Sequence, residues 1–179
     1  MSQTIQKQFF EDSQDNAWFG SKFDIVNYLK IDSSGKLGLS FITTICNMSN
    51  VDNEPKKYQE DGYTLIINNK KVVIKTARMD KNKKFQHESL SNDDKYDYIL
   101  FVDISPQNLY LTILKKFDLS VKNEIVNKKP HLRKFTTNVY KFDFSKKQIN
   151  KCISNGHCLE ITEDTHFERI SNFIKEKIL

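Results

Sequence analysis

The sequence predicts an α/β domain in which a central mixed β-sheet is flanked by helices. Apolar residues recur at helical spacing near both ends of the chain, and β-branched, apolar runs fill its middle. Helical segments on either side of a group of strands favour a sheet that buries its faces against helices. The strand-like runs lie at residues 63–67, 71–76, 98–104, 109–114 and 135–144.

The size and composition of the chain are those of one folded domain. The chain has 179 residues, of which 38% are hydrophobic and 12% aromatic, which excludes compositional disorder for most of it. We expect residues 1–15 to form a flexible N-terminal segment and residues 16–179 a single domain. Three unevenly placed cysteines predict no disulfide framework and fit a reducing, cytoplasmic compartment. No apolar run approaches the ~18 residues of a membrane span, and the N-terminus lacks a signal-peptide core.

The first third of the chain predicts one helix and one strand. Apolar residues every three or four positions favour an amphipathic helix over residues 18–29. Ser33, Ser34 and Gly35 are expected to end it. Residues 37–46 are apolar and β-branched, which favours a strand, although a buried helix end has the same composition. We expect residues 47–62 to form a loop.

The middle and the C-terminal part contain turn and cap signals. Asn68 and Asn69 join two strand-like runs and tolerate the left-handed conformation of a tight hairpin. Residues 85–91 are expected to form a short helical turn. Ser145 with Gln148 predicts a capping box for a helix through residue 153. The last helix is predicted to begin with the pair Thr165 and Glu168, and to bury Phe167, Ile170, Phe173, Ile174 and Ile178 on one face.

Four segments, in order, resemble the PD-(D/E)xK nuclease superfamily, and more narrowly the small type II restriction endonuclease-like proteins. GSKFDIVNYL is similar to the first helix of that family, which often carries an acid, here Asp24. LIINNKKVVIKTA resembles its active-site hairpin, with Lys75 at the place of the lysine. FQHESL is similar to the segment after the site, and YDYILFVDISPQNLYLTIL to the next two core strands. The resemblance covers residues 19–144.

The resemblance implies a restriction-endonuclease-like fold and a Mg²⁺-dependent enzyme that hydrolyses phosphodiester bonds of double-stranded DNA. The protein would be cytoplasmic and belong to a restriction-modification system. It would act as a homodimer, because cutting both DNA strands needs two active sites. Lys75 would orient or activate the attacking water. No membrane partner is expected. The chain contains no Gly-rich phosphate loop, Walker pattern or GxSxG motif, so no small-molecule cofactor is expected either.

The two acidic positions of the family motif are substituted here. Thr64 and Val73 stand where the carboxylates are usual, and neither side chain is an adequate ligand for Mg²⁺, which prefers carboxylate oxygens. Replacement acids are Asp61 or the adjacent Glu60 before the first hairpin strand, and Glu88 on the short helix expected after Lys75. Asp80 is a weaker candidate because it lies in a basic loop. The alternative for Glu88 is an ordinary acid on a helix surface, and that for Asp61 is a common turn formed with Gly62.

Two groups of residues are candidate nucleic-acid contacts. Cations position a phosphate backbone, while arginine and amide side chains can also read base edges. The first group follows the lysine strand, and the second lies near residues 128–138. The candidates are Arg78, Lys81, Lys83, Lys84, Gln86, Arg133, Lys134, Thr136 and Asn138.

Three alternatives remain open from the sequence. The substituted acids favour a catalytically inactive member of the same fold that binds DNA or a partner protein. The modest net charge of +5 also leaves room for a protein-interaction domain without a nucleic-acid role. A zinc site is the weakest alternative, because its four candidate ligands lack the paired C-x₂-C spacing. Those ligands would be Cys152, His157, Cys158 and His166.

Overall fold

The computed structural model describes residues 17–29, 31–57, 62–91, 95–116, 127–130 and 139–178. In this part of the chain a mixed sheet packs against helices, which confirms the predicted α/β architecture. The N-terminal segment predicted to be flexible lies outside the described residues.

The described chain contains four helices and nine strands. The helices are α1 Asp24–Asn27, α2 Ile31–Met48, α3 Lys146–Ser154 and α4 Phe167–Ile178. The strands are β1 Asn53–Pro55, β2 Leu65–Ile67, β3 Lys70–Arg78, β4 Lys84–Ser91, β5 Tyr98–Ile104, β6 Leu109–Lys115, β7 Asn127–Pro130, β8 Val139–Ser145 and β9 Cys158–Ile161.

Six strands form the central sheet in the order β1-β2-β3-β5-β6-β9. Among these described strands, β3 and β5 are the one parallel pair, with Lys75 opposite Phe101 and Ala77 opposite Asp103. β4 leaves this sheet and forms a second, antiparallel one in the order β4-β8-β7. The connection from β3 to β5 therefore runs through the second sheet.

Three layers enclose two cores. On one face of the central sheet α2 and α4 bury an aliphatic core that includes Ile42 and Ile174. On the other face β4, β8 and α3 cover an aromatic core around Phe101 and Phe144. Strand β5 supplies both cores, since Leu100 and Val102 face the helices while Ile99 and Phe101 face the second sheet. Burial on both faces explains why its sequence is almost continuously apolar.

The strand predicted at residues 37–46 is wrong, and its alternative as part of a buried helix is correct. Helix α2 runs through this segment and through the residues expected to break it. Ile42, Ile45 and Cys46 are buried at helical spacing, so the apolar residues follow a period near 3.6 rather than 2. Gly38 lets the helix approach β3 closely, because a Cβ placed there would lie 1.9 Å from Thr76 Oγ1.

Two predicted helical segments are also corrected. Residues 18–29 form turns around the four-residue helix α1, and Gly20 with a φ of 66° interrupts the predicted longer helix. Residues 85–91 belong to strand β4, not to a helical turn. Phe85 and His87 are buried while Gln86 and Glu88 are exposed, which is the alternation of a strand that packs on one face. The predicted loop at 47–62 contains the short strand β1.

The predicted hairpin turn and the predicted capping box of α3 agree with the structure, whereas the Thr165 cap of the last helix does not. Asn68 and Asn69 join β2 to β3 with φ angles of 45° and 62°, as a tight hairpin turn requires. The capping box of α3 is present, and the Ser145 backbone N–H donates to Gln148 Oε1 at 2.8 Å. Helix α4 begins at Phe167, whereas an N-cap at Thr165 would make His166 its first residue. Its apolar face packs on the aliphatic core as predicted.

Among the described residues, no helix combines the length and the apolar character needed to cross a lipid bilayer.

Candidate functional site

Lys75 lies in the middle of β3, on the face of the central sheet that the second sheet covers. It is half-buried, and its register partner on the parallel neighbour is Phe101. Val73 and Ala77 point to the same side of β3 because side chains alternate along a strand, and both belong to the aromatic core. The lysine therefore emerges between apolar neighbours.

The two substituted acid positions have structural roles. The Thr64 hydroxyl accepts a hydrogen bond from the Ile74 backbone N–H at 2.9 Å, and donates one to the Val72 carbonyl at 3.3 Å. It thereby extends the pairing of the hairpin beyond β2. Val73 is 0% exposed and packs in the aromatic core. An acid at position 73 would have to be buried among hydrocarbon, which is unfavourable unless the charge is paired.

Glu88 lies on a strand rather than on the expected helix, but that strand crosses the Lys75 face. The preceding residue, His87, packs its ring 4.5 Å from that of Phe101, the register partner of Lys75. Glu88 itself is exposed. The tertiary structure thus brings the strand that carries Glu88 over the part of the sheet that carries Lys75.

The other predicted metal ligands, Glu60 and Asp61, lie outside the described residues. Within the described ranges, no group of three His, Cys, Asp or Glu side chains is arranged to hold a metal ion. Mg²⁺ commonly uses one or two carboxylates together with substrate phosphate and water. Of the three predicted metal ligands, the described residues thus include Glu88 alone, on the exposed side of β4.

Asp80 organises the turn between β3 and β4. Its Oδ1 accepts backbone N–H groups from Asn82 at 2.8 Å and Lys84 at 2.9 Å, and its Oδ2 accepts the side chain of Gln86 at 3.0 Å. Because both carboxylate oxygens accept hydrogen bonds within the turn, Asp80 stabilises the conformation of the loop. The turn displays three exposed lysines in a short span, namely Lys81, Lys83 and Lys84.

Arg78 closes the end of α1. Its Nη1 donates to the Val26 carbonyl at 2.9 Å and also to that of Asn27. Part of the guanidinium is therefore used to hold α1 on the sheet. The second predicted group of contacts, Arg133, Lys134, Thr136 and Asn138, lies outside the described residues.

A buried contact between a histidine and an aspartate in this region was not predicted from the sequence. His87 Nε2 lies 2.7 Å from Asp103 Oδ1, and both side chains are almost completely buried. Burial raises the pKa of the Asp103 carboxyl above its ordinary value, and the adjacent His87 opposes that rise. The signal was available, since Asp103 is a lone acid in an apolar strand, where an unpaired carboxylate is rare.

The four residues weighed as zinc ligands do not come together as a site. Cys152 and Cys158 are buried, whereas His157 is half-buried and His166 exposed. Burial raises the pKa of Cys152 to about 11 and that of Cys158 to about 12. Both therefore remain thiols at neutral pH, and zinc binds the thiolate.

The chain matches no protein-family model, and comparisons with curated proteins and with solved structures likewise find no match.

Proposed function

We propose that this chain is a Mg²⁺-dependent endodeoxyribonuclease of restriction-endonuclease-like fold that cleaves duplex DNA. The observation that carries the proposal is the position of Lys75. It is a half-buried cation on a central strand, beneath the strand that carries Glu88. A carboxylate that holds Mg²⁺ and a lysine that holds the attacking water are the two groups that this proposal requires of the protein.

The order of elements supports the same proposal. A short helix with Asp24 comes first, followed by the β2–β3 hairpin with Lys75, by β4, and by the adjacent strands β5 and β6. This is the order of the four segments that resemble the PD-(D/E)xK superfamily. The difference is that the segment after the lysine is a strand, so the displaced acid comes from β4.

Each residue has a defined task in this proposal. Glu88, with Asp61 or Glu60, would hold Mg²⁺, which when bound supplies a Lewis acid for the phosphate and a more acidic water. The exposed position of Glu88 suits a hard cation that keeps part of its water shell. Lys75 would hold the attacking water and offset phosphate charge. The lysines of the β3–β4 turn would contact the DNA backbone, and a homodimer would present one site to each strand.

Plasmid cleavage tests the proposal directly. Supercoiled plasmid is incubated with the full chain in Mg²⁺ or in EDTA, and nicked and linear products are quantified. We expect Mg²⁺-dependent cleavage that Lys75→Ala reduces by about 10²-fold or more, the size typical for loss of a group that stabilises developing charge. Glu88→Gln should also reduce it, while raised Mg²⁺ partly restores the activity of that variant.

Lys151→Ala is the matched control, since it removes an exposed lysine from α3 that has no task in the proposed site. It should leave cleavage unchanged. The proposal fails if the wild-type chain shows no Mg²⁺-dependent cutting, or if Lys75→Ala and Lys151→Ala behave alike.

The buried Val73 and the hydrogen-bonded Thr64 favour a second candidate, a DNA-binding protein of the same fold without cleavage. It predicts duplex binding that weakens linearly with the logarithm of salt concentration, and no product in Mg²⁺. Replacing Lys81, Lys83 and Lys84 together should reduce the magnitude of that slope by about 3 if each lysine contacts one phosphate. An unchanged slope would exclude the turn as the contact surface.

A further inference from the structure

A cavity of about 370 Å³ opens at the carboxyl ends of the parallel strands β3 and β5. Its size falls at the lower end of the roughly 300–1,000 Å³ of small-molecule sites. The turn that follows β5 forms one side, and the start of α3 forms another. The lining residues are Ala17, Met79, Lys83, Phe85, Ser105, Pro106, Gln107, Asn108, Tyr110, Lys146 and Ile149.

One part of the lining is apolar and aromatic. Phe85 and Tyr110 meet edge to face with ring centroids 6.0 Å apart, and Met79 and Ile149 lie beside them. Such a surface favours a flat, apolar ring, because planar rings stack on aromatic side chains.

The mouth carries two lysines that the strand pairing brings together. Lys84 is the register partner of Ser145 at the end of the β4–β8 ladder. The residue before β4 and the residue after β8 both line the cavity, namely Lys83 and Lys146. Because Lys84 and Ser145 pair, these two lysines flank the same end of the β4–β8 ladder, and their long side chains line one cavity. Lys146 also begins the nine-residue helix α3, whose N-terminus attracts negative charge.

Two acids, Asp80 and Glu160, lie near the cavity without lining it. None of the described lining residues is acidic. The neighbouring Glu160 accepts hydrogen bonds from Asn108 Nδ2 at 2.8 Å and from the Tyr110 hydroxyl at 3.1 Å. Its charge is thus directed at two donors of the cavity wall.

The turn after β5 is fixed and presents an amide. The Ser105 hydroxyl donates to the Asn108 carbonyl at 2.7 Å and accepts the Asn108 backbone N–H at 3.0 Å. Gln107, between them, is exposed at the cavity. Its side chain offers both a donor and an acceptor, the combination that matches the edge of a nucleobase.

We propose that this cavity binds a single nucleotide. The base lies against Phe85 and Tyr110 with its edge at Gln107, and the phosphate lies between Lys83 and Lys146. The site adjoins the proposed cleavage site and shares Lys83 with its DNA-contacting turn. Met79 at the border of the cavity is four residues along the chain from Lys75, or about 13 Å at the rise of a strand. The nucleotide is either free in solution or an unstacked unit of a nucleic-acid strand, and both present the same base and phosphate.

Calorimetric titration of the full chain with 2′-deoxyadenosine 5′-monophosphate tests the proposal. We expect saturable binding with a dissociation constant of order 10⁻⁴ M, and weaker binding of deoxyadenosine and of inorganic phosphate, which each lack half of the contacts. The double variant Lys83→Met/Lys146→Met should weaken nucleotide binding by about tenfold or more, since it removes two charge-assisted contacts.

The matched control is Lys147→Met/Lys151→Met, which removes the same charge from exposed positions of α3 outside the cavity and should bind within about twofold of the wild type. Gln107→Ala should weaken binding of the nucleotide but not of phosphate. Thermal melts of all variants show whether they are folded.

A duplex containing 2-aminopurine separates the two sources. A rise in its fluorescence that Lys83→Met/Lys146→Met abolishes indicates a nucleotide drawn from a strand, and mononucleotide binding without that rise indicates a free ligand. Use of Lys75→Ala without Mg²⁺ makes the result independent of cleavage. Absence of both signals overturns the proposal, as does equal binding by the cavity variant and its control.

Discussion

His87 Nε2 and Asp103 Oδ1 lie 2.7 Å apart and connect the two sheets, with side-chain exposures of 1% and 0%. His87 comes from β4 in the second sheet and Asp103 from β5 in the central one. The rings of Phe101 and Phe144 pack against the imidazole at 4.5 and 5.8 Å. Because it lies within an aromatic core, this polar contact is sensitive to the protonation state of both partners.

Asp103 should make the stability of the protein fall with rising pH over a defined range. Burial raises the pKa of its carboxyl above the ordinary 3.8, although His87 opposes the rise. The folded state therefore keeps this proton at pH values where the unfolded chain has lost it. The contribution of Asp103 is fully present below about pH 3.8 and is lost as the pH rises through the folded pKa. Urea unfolding of the wild type and of Asp103→Asn is measured from pH 3.5 upward. The difference between the two free energies of unfolding gives the pH-dependent contribution of Asp103 to stability.

Above pH 3.8 the free energy of unfolding of the wild type should fall steadily relative to that of Asp103→Asn, and then the difference should level off. Asp164→Asn, which removes an exposed carboxyl, measures the effect of net charge alone. If the wild type instead gains stability relative to Asp103→Asn as the pH rises, the carboxyl is ionised and paired with a charged His87, and its pKa is lowered rather than raised.

Gly38→Ala should destabilise the protein although alanine is the better helix former. The added Cβ would lie 1.9 Å from Thr76 Oγ1 and 3.1 Å from Thr76 Cβ, so rotation of the threonine cannot clear it. The resulting displacement of α2 from β3 costs about 1–3 kcal/mol, against a gain of up to about 1 kcal/mol in helix propensity. Chemical denaturation should show a net loss of roughly 1–2 kcal/mol.

Gly35→Ala is the matched substitution in the same helix, because nothing lies within 4 Å of a Cβ at that position. It should stabilise the protein by up to about 1 kcal/mol. Adding Thr76→Ala to Gly38→Ala removes the nearest clashing atom and should restore part of the loss in a double-mutant cycle. Equal effects of the two glycine substitutions would contradict the close packing of α2 on β3.

The three cysteines should resist thiol reagents in the folded protein. Burial raises the pKa of Cys46 and of Cys152 to about 11 and that of Cys158 to about 12. A pKa of about 11 leaves roughly one thiol in a thousand ionised at pH 8, and the thiolate is the reactive form. Ellman's reagent at pH 8 should therefore label none of the three on a timescale that labels all of them in urea.

Single-cysteine variants extend this test to the two cores, since Cys46 belongs to the aliphatic core and the other two to the aromatic core. Labelling of each thiol should depend on urea in the same way as global unfolding. Rapid labelling of Cys152 or Cys158 in the folded protein would show that the second sheet opens independently.

Local sequence patterns predicted the parts of the fold that depend on local chemistry. The hairpin turn at Asn68 and Asn69 was predicted because asparagine tolerates the left-handed conformation that both residues adopt. The capping box of Ser145 and Gln148 was predicted for a similar reason, as both partners lie within one turn. The strand β5 was recognisable because burial on both faces leaves no polar positions except Asp103.

Predictions failed where long-range packing outweighs local preference. Residues 37–46 have β-branched side chains, yet they form helix α2 because Ile42 and Cys46 must face β3 and the aliphatic core. Residues 85–91 form β4 because β8 offers a partner far along the chain, with Phe85 opposite Phe144. Neither partner is visible in the segment itself.

The same division applies to the candidate sites. Residue types and their order were enough to single out Lys75, the substituted positions Thr64 and Val73, and the basic turn, because these depend on neighbours along one hairpin. The pairing of His87 with Asp103, the position of the Glu88 strand over Lys75, and the cavity between Lys83 and Lys146 depend on how the two sheets pack. These contacts join residues far apart in the chain, and they form only when the two sheets and their helices pack together and bury both cores. The tertiary structure therefore decides them, and no local sequence pattern does.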